Sequence, residues 1–323
     1  MVNKKKYGKI LGVINPTESI NASNMRKWHK GESIDYWPTE DMNQNNLDSV
    51  LDQLFNSYGP DTPIFNNNDK LLTMGSCFAL RIREWMERNG RGSETVFIPE
   101  GLNNSFAVRQ YIEWALTGNR SHDAYWYDET KDGVGKWESP TEQKQIKEEF
   151  NKHSGFVITF GLAEVWRDKE TGGVFWRGVP NDVFDPKKHE SVVSKVQDNI
   201  DNIKTIISLI RTHCGNKPII FTLSPVPLNA TFQQRPCVVS DCVSKSILRV
   251  AVDEALRDVN DKNVYYWPSF EYVKWIPSHM PIVTFGGTQG KKIKDSRHVA
   301  DDAVSNIISN FSKKFFSKDK HAN

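Results

Sequence analysis

The chain has little cysteine. Only Cys77, Cys214, Cys237 and Cys242 occur among its 323 residues, and no two of them form a CxxC pair. A disulfide framework is therefore not indicated, and free thiols are expected. A zinc site built from Cys237, Cys242 and the His213-Cys214 pair is the less favoured alternative, because this spacing matches no common structural zinc template. We predict no metal and no cofactor.

Long apolar runs and an excess of one charge are also missing. No stretch approaches the roughly 20 apolar residues that cross a bilayer, and the basic opening at residues 1–6 is followed by no secretory hydrophobic region. Basic residues number 42 against 40 acidic ones, for a net charge of +2, and the mean hydropathy is −0.57. These values predict a cytoplasmic protein without a membrane span and give no reason to expect nucleic acid as a partner.

The texture of the chain changes at residue 70. Residues 1–69 lack sustained periodicity and contain asparagine-rich patches, which predicts an extended N-terminal arm. From residue 70 short apolar runs alternate with amphipathic segments, which indicates an α/β domain over residues 70–316. An aromatic-rich insertion is expected at about residues 118–150, and residues 317–323 read as a polar tail.

Five apolar runs of strand length, rich in β-branched and aromatic residues, are predicted strands. They lie at residues 70–74, 94–98, 155–160, 218–223 and 263–267. With helices between them, they predict a doubly wound, flavodoxin-like sheet of five mostly parallel strands. Ligands of such sheets bind beyond the carboxyl ends of the strands, so Gly75, Gly161 and Ser224 are expected at one functional edge.

Apolar residues at helical spacing predict the segments between the strands. The predicted helices are a first one from Phe78 to Met86 that ends near Gly90, a second at residues 106–116, the longest at residues 192–210 with Asp185-Pro186 as its cap, a fourth at about residues 241–259, and a last one through residues 304–315.

The pentapeptide Gly-Ser-Cys-Phe-Ala at residues 75–79 is the most informative motif. It follows an apolar run and opens a helical pattern, so it places Cys77 on a strand-to-helix turn. Free backbone N–H groups and the helix dipole at such a turn favour a thiolate, which is a strong nucleophile. Near the far end, Asp295 precedes His298 by three residues. A nucleophile, a base and an orienting acid are therefore all available.

Together these motifs resemble the GSCFA domain family, a branch related to the SGNH or GDSL-like esterases. The segment from Thr159 to Trp166 is similar to a second block of that family. The segments 244–246 and 268–271 are similar to later blocks, so the resemblance covers roughly residues 70–310.

The resemblance implies a role for each site residue. Cys77 lies at the position of the SGNH nucleophilic serine and Ser76 at the position of the preceding aspartate. His298 would act as general base and acid, and Asp295 would orient its ring. The implied activity is that of an esterase or acyltransferase with a thioester intermediate, acting on acyl esters of a carbohydrate or polysaccharide precursor. Ser76 remains a competing nucleophile.

The oxyanion-binding part of the motif departs from the esterase pattern. Where SGNH enzymes have Gly-x-Asn-Asp, this chain has Gly161-Leu162-Ala163-Glu164, so an asparagine donor is missing. The backbone N–H groups of Cys77 and Gly161 are candidate donors, and Gly101 or Asn104 is a candidate from the preceding loop. Glu164 could bind substrate, assist proton transfer or make a structural hydrogen bond.

Tryptophans and basic residues add further candidates. Trp85, Trp114 and Trp267 are predicted core residues, whereas Trp126, Trp137, Trp166 and Trp176 are candidates for substrate contact. Lys245 and Arg249 are expected on a solvated face.

Two other classes of function stay open. One is a glycan-binding module that kept the fold and lost turnover, and the other is a thiol redox protein in which Cys77 pairs with another cysteine.

Overall fold

The computed structural model describes residues 47–90, 102–120, 124–125, 140–176, 178–179, 181–278, 280, 282–286 and 296–317, apart from the side chains of Ser49, Cys77, Ala124 and Tyr125. The chain divides into two units, Met1–Pro38 and Thr39–Asn323, and all described elements belong to the second.

The described elements are the following, in chain order: α1 (Leu47–Asn56), β1 (Leu71–Gly75), α2 (Cys77–Arg88), α3 (Ser105–Thr117), β2 (Ala124–Tyr125), α4 (Pro140–Lys152), β3 (Gly155–Phe160), β4 (Glu164–Asp168), β5 (Val174–Phe175), β6 (His189–Val193), α5 (Val196–Cys214), β7 (Ile219–Leu223), α6 (Cys237–Val259), β8 (Val264–Trp267), α7 (Ser269–Trp275), a 3-10 turn (Ile276–Ser278) and α8 (Asp301–Phe315).

The central sheet has four described strands in the order β1-β3-β7-β8, all parallel. Its register aligns Gly75 with Thr159, and Phe160 with Leu223. The predicted α/β class and parallel sheet are thus confirmed, with strand ends shifted by a residue or less. The fifth predicted strand, at residues 94–98, lies outside the described residues.

Alternating strand residues face two separate hydrophobic cores, one on each side of the sheet. Leu72, Ile158 and Phe221 pack in the core formed with α3, α5 and α6. Leu71, Val157 and Ile220 pack in the other core, with α1, α2 and α8. Because helices cover both faces, the sheet is doubly wound, and its carboxyl edge is left for a site.

A second sheet, with strand order β2-β5-β4-β6, was not anticipated from the sequence. In it β4 pairs antiparallel with β6, so that Val165 lies opposite Val192. The prediction that Val192 belongs to the longest helix, capped by Asp185-Pro186, is therefore wrong. The helix begins instead at Val196, where the backbone N–H of Lys195 donates to Asp198 at 3.2 Å.

Helix lengths also differ from the prediction. Among the described helices α6 is the longest, with 23 residues against 19 in α5. In the segment expected to be an extended arm, residues 47–56 form helix α1, whose Val50 and Phe55 are buried against the core. The domain boundary at residue 70 stays a prediction. No described helix is long and apolar enough to span a membrane.

The turn that precedes β8 contains Asp261, a carboxylate whose pKa is shifted. The guanidinium of Arg211 donates to Asp261 at 2.6 Å, and the N–H of Asn263 donates to the same carboxylate at 2.8 Å. The hydrogen bond from Arg211 is the largest cause that holds the pKa of Asp261 below its ordinary value. The ionised form is thus favoured in the folded protein.

Replacing Asp261 by asparagine should lower the free energy of unfolding by about 0.5–1 kcal/mol at pH 7. A lowered folded-state pKa contributes stability above the unfolded value of about 4, and this stability is lost as pH falls through the folded-state value. The difference between wild type and Asp261→Asn should therefore shrink on acidification. Urea unfolding at several pH values measures it, with Asp182→Asn at an exposed position as control. A difference independent of pH would contradict this account.

Candidate active site

The turn after β1 requires glycine. Gly75 has φ = +112°, a conformation that L residues with side chains rarely adopt, and a Cβ there would overlap the carbonyl oxygen of Thr159. The N–H of Ser76 donates to that same carbonyl at 3.0 Å. The close approach of the turn to β3 is therefore built on the absence of a side chain at residue 75.

Ser76 caps helix α2. Its hydroxyl oxygen accepts a hydrogen bond from the N–H of Phe78 at 3.3 Å, and the residue is only 6% exposed. Cys77 is the first residue of the helix. If His298 is the base, its ring should lie within or near hydrogen-bond reach of the Cys77 sulfur. The Cys77 side chain lies outside the described residues, so the proximity stays a prediction.

Two other loops meet this turn, one after β3 and one before α3. A Cβ added at Gly161 would lie 3.3 Å from the Cβ atoms of both Ser76 and Asn103. The N–H groups of Gly161 and Leu162 both donate to the carbonyl oxygen of Asn103, at 2.6 and 3.2 Å. The loops after β1 and β3 and the loop before α3 thus share one edge of the sheet, as the fold prediction requires. The N–H of Gly161, a predicted oxyanion donor, is engaged in this contact.

The side-chain amide of Asn104 is hydrogen-bonded within the protein and is not free to donate to an oxyanion. It is buried and caps α3, because its Oδ1 accepts from the N–H of Ala107 at 2.9 Å. Its Nδ2 donates to the carbonyl of Trp176 at 3.2 Å. Both ends of the amide therefore hold the protein together. Gly101 lies outside the described residues.

Of the four tryptophans that are candidates for substrate contact, Trp176 is buried. Its indole N–H donates to Gln110 at 2.7 Å, inside the core that α3 covers. Trp176 is therefore a core residue, and the substrate-contact alternative for it is removed. Trp126 and Trp137 lie outside the described residues. As expected for core residues, Trp114 and Trp267 are buried, and Trp85 packs partly buried against the core.

Ser244 and Lys245 on α6 form a buried polar pair, and this burial was not predicted from the sequence. The hydroxyl of Ser244 accepts from the N–H of Ala163 at 2.6 Å, and the ammonium of Lys245 donates to the carbonyl of Gly161. Lys245 is only 2% exposed, so its expected position on a solvated face is wrong. Leu248 and Val252, three and seven residues beyond Lys245, are buried as well, and this helical spacing was the available signal.

Arg249 is also bound rather than freely solvated. Its guanidinium donates to Glu271 at 2.6 Å and lies 4.2 Å from the centre of the Tyr266 ring. These contacts join α6 to α7 and to the end of the central sheet. We assign Arg249 to the packing of the fold.

Glu164 holds a neighbouring loop. Its two carboxylate oxygens accept from the hydroxyl of Thr231 at 2.7 Å and from the N–H of Phe232 at 3.4 Å. The residue is 8% exposed. Of the three roles open from the sequence, the structural hydrogen bond is the one that the contacts describe.

An aromatic surface lies beside Glu164. Trp166 makes edge contacts with Phe184 and Phe232, with ring centres 5.6 and 4.9 Å apart. Phe184 and Phe232 are 42% and 65% exposed, and Trp166 is half-buried. We refer to these three residues as the aromatic cluster. The cluster leaves aromatic surface open to solvent, and Trp166 lies in β4, which begins four residues after the end of β3.

The segment that carries His298 leads directly into α8 and is held in place by contacts with other parts of the chain. The carbonyl of His298 accepts from the N–H of Gly286 at 2.9 Å, and Arg297 donates to the carbonyl of Pro227 at 3.1 Å. Arg81, one helical turn after Cys77, forms an ion pair with Asp301, three residues after His298. The ion pair links the His298 segment to the beginning of α2. Asp295 lies outside the described residues.

The motif at residues 75–79 thus forms a strand-turn-helix site at the carboxyl edge of a doubly wound α/β sheet. The family model described as the GSCFA family matches residues 70–311. The chain belongs to the GSCFA family, and the resemblance seen in the sequence is confirmed. No curated protein sequence matches the chain.

Several solved structures are similar to the chain at low identity. One is a carbohydrate esterase family 2 enzyme with a carbohydrate binding domain from Corynascus thermopiles (Myceliophthora fergusii), at 10% identity and a TM-score of 0.37, covering 77% of this chain and 66% of that one. Another is the salicylyl-acyltransferase SsfX3 from a tetracycline biosynthetic pathway (13%, TM-score 0.36, 77% and 54%). A third is described as a GDSL-like lipase from Parabacteroides merdae (7%, TM-score 0.40, 78% and 98%). The chain therefore spans less than two thirds of the first two proteins.

Proposed function

We propose that this protein is an esterase or acyltransferase that forms a thioester on Cys77. The observation that carries the proposal is the position of Cys77 as the first residue of α2, directly after the Gly75-Ser76 turn. The first N–H groups of a helix have no intrahelical acceptor, and together with the helix dipole they stabilise a thiolate. Ser76 is the weaker nucleophile because it is buried and its hydroxyl caps the helix.

The proposed reaction has two acyl-transfer steps. His298 takes the proton of the Cys77 thiol, the thiolate attacks the carbonyl carbon of an ester, and a carbon–sulfur bond forms as the carbonyl becomes an oxyanion. The carbon–oxygen bond then breaks, and the alcohol leaves with a proton from His298. Water or an acceptor hydroxyl next attacks the thioester and gives its proton to His298, and the carbon–sulfur bond breaks to release the acyl product and the Cys77 thiolate. By the family resemblance Asp295 orients the His298 ring.

The substrate class is proposed to be acyl esters of a carbohydrate or polysaccharide precursor. The aromatic cluster supports this choice, because flat apolar rings pack against sugar faces and the side chains of Phe184 and Phe232 are open to solvent. Glu164 fixes the backbone of Phe232 relative to β4. A sugar that rests on the cluster would therefore meet a preformed surface.

A glycan-binding module without turnover is the second candidate function. It is favoured by the engagement of the N–H groups of Gly161 and Leu162 with Asn103, since these groups cannot also bind an oxyanion in that geometry. Such a module would bind the same glycan with equal affinity in wild type and Cys77→Ala, and wild type would form no acyl adduct.

Intact-mass measurement with a panel of activated acyl esters tests the proposal. Wild type should gain one acyl group, the Ser76→Ala variant should retain this gain, and Cys77→Ala should lose it. Hydroxylamine should remove the adduct, because thioesters are cleaved by it readily. An adduct that survives in Cys77→Ala and disappears in Ser76→Ala would make Ser76 the nucleophile. Mild oxidation that joins Cys77 to another cysteine would instead favour the thiol redox function.

A further inference from the structure

The loop after β3 has no backbone donor left for an oxyanion at its first three residues. The N–H groups of Gly161 and Leu162 donate to Asn103, and that of Ala163 donates to the hydroxyl of Ser244. The amide side chain of Asn104 is used at both ends. An active site of this kind needs a second donor beside the N–H of the nucleophile. The usual sources at this edge are therefore occupied among the described residues.

Asn103 lies beside the Gly75-Ser76 turn and the loop after β3. Its Cβ and the Cβ of Ser76 each lie 3.3 Å from the position of a Cβ built at Gly161, so its side chain begins next to the turn that carries Cys77. It is half-buried. Within the described part of the chain no group hydrogen-bonds to its carboxamide, although its backbone carbonyl is doubly engaged.

We propose that the carboxamide of Asn103 is the side-chain donor of the oxyanion hole. This inference rests on the proposed function. It assigns to Asn103 the donor role for which the block Gly161–Glu164 has no asparagine. A primary amide carries two N–H donors and no charge at any working pH. As Cys77 attacks the ester, the carbonyl oxygen acquires negative charge, and an Asn103 N–H together with the Cys77 N–H would stabilise it. The carbon–oxygen bond of the oxyanion becomes a carbonyl double bond again when the alcohol leaves.

The backbone of Asn103 explains why the donor stays in place. Its carbonyl ties the loop before α3 to Gly161 and Leu162, and Lys245 holds the carbonyl of Gly161 from the other side. These contacts do not involve the Asn103 side chain. Asn103→Ala therefore removes the donor while leaving the hydrogen bonds between the two loops, and Asn103→Asp keeps the shape but replaces the donor by an acceptor.

Two reactions of the same thiol separate this role from a structural one. Acylation by p-nitrophenyl acetate passes through an oxyanion, whereas alkylation by iodoacetamide displaces iodide at a saturated carbon and forms none. In Asn103→Ala the acylation rate constant should fall about 10²- to 10³-fold, with the alkylation rate of Cys77 within about threefold of wild type. In Asn103→Asp acylation should fall more than alkylation, because the added carboxylate charge disfavours the thiolate in both reactions whereas the lost donor affects only acylation. Asn119→Ala, an exposed position just beyond the end of α3, serves as control and should change neither rate.

Three results would overturn the inference. Acylation that stays within about threefold of wild type in both variants excludes Asn103 as a donor. An equal fall in acylation and alkylation shows that the substitution acts on the thiol or the fold. Wild-type protein that is alkylated at Cys77 but never acylated refutes the proposed function, and the role of Asn103 falls with it. The first two results leave the proposed function intact, so the failures are distinguishable.

Discussion

Gly75→Ala should destabilise the protein by about 4 kcal/mol or more, or prevent folding altogether. Two effects combine at this position. The backbone of Gly75 is held at φ = +112°, and a methyl group there would overlap the Thr159 carbonyl oxygen, which also accepts the N–H of Ser76. Relieving the overlap would move the turn away from β3 and break the register in which Gly75 lies opposite Thr159.

Gly172→Ala is the matched control for the backbone effect alone. Gly172 has φ = +74°, and no atom lies within 4 Å of the position of its Cβ. This variant should lose about 1–2 kcal/mol, the cost of a left-handed conformation without a steric overlap. Urea unfolding followed by tryptophan fluorescence compares the two, with soluble yield as the readout if Gly75→Ala does not fold. Equal losses for the two variants would show that the approach of the turn to Thr159 does not matter.

The second large effect is expected at His298. Replacing it by glutamine should lower the turnover of an activated acyl ester by about 10²- to 10⁴-fold at neutral pH, because in the proposed mechanism His298 is the base that accepts and returns the proton. Glutamine retains hydrogen-bonding capacity and similar size. The half-buried position of His298 and its backbone contact with Gly286 are therefore disturbed as little as possible.

His213→Gln is the control for this substitution. His213 is an exposed histidine in the last turn of α5, so its replacement should leave the turnover unchanged. Steady-state kinetics of both variants, together with thermal unfolding, separates lost catalysis from lost stability. Turnover in His298→Gln within a few-fold of wild type, with an unchanged unfolding temperature, would remove His298 from the mechanism.

The central sheet could be predicted from the sequence because its signals are local. Its strands are short apolar runs, and β3, at Gly155–Phe160, is buried along its whole length. Helix α8 begins at Asp301 and presents Val304, Ile307 and Phe311 to one core, as the apolar spacing indicates. The strand is a continuous apolar run and the helix buries one apolar stripe, so composition and periodicity are sufficient to predict these elements.

The second sheet could not be predicted, because its pairing is set by contacts between distant residues. Two of its strands have only two residues each, and β4 pairs with β6 across more than 20 positions of chain. Val192 lies four residues before Val196, so it continues the helical pattern of α5 by accident. Pairing with Val165 overrides that pattern.

In the site, sequence motifs indicated which loops meet but not how their polar groups are shared. Gly161 was a candidate donor to a ligand, yet its N–H donates to the carbonyl of Asn103, which lies before α3 and is distant in the chain. Lys245 was expected in solvent, yet its ammonium reaches the carbonyl of Gly161 inside the protein. Such partners belong to the tertiary fold, and residue type alone does not identify them.

The site of acylation tests the central claim most directly. The protein is reacted briefly with an activated acyl ester, and the reaction is quenched at low pH. Digestion with trypsin should then release Leu71–Arg81, the peptide that contains both Ser76 and Cys77. Tandem mass spectrometry should place the acyl group on the sulfur of Cys77, and hydroxylamine should remove it. An acyl group on the oxygen of Ser76, or on a different peptide, would contradict the account.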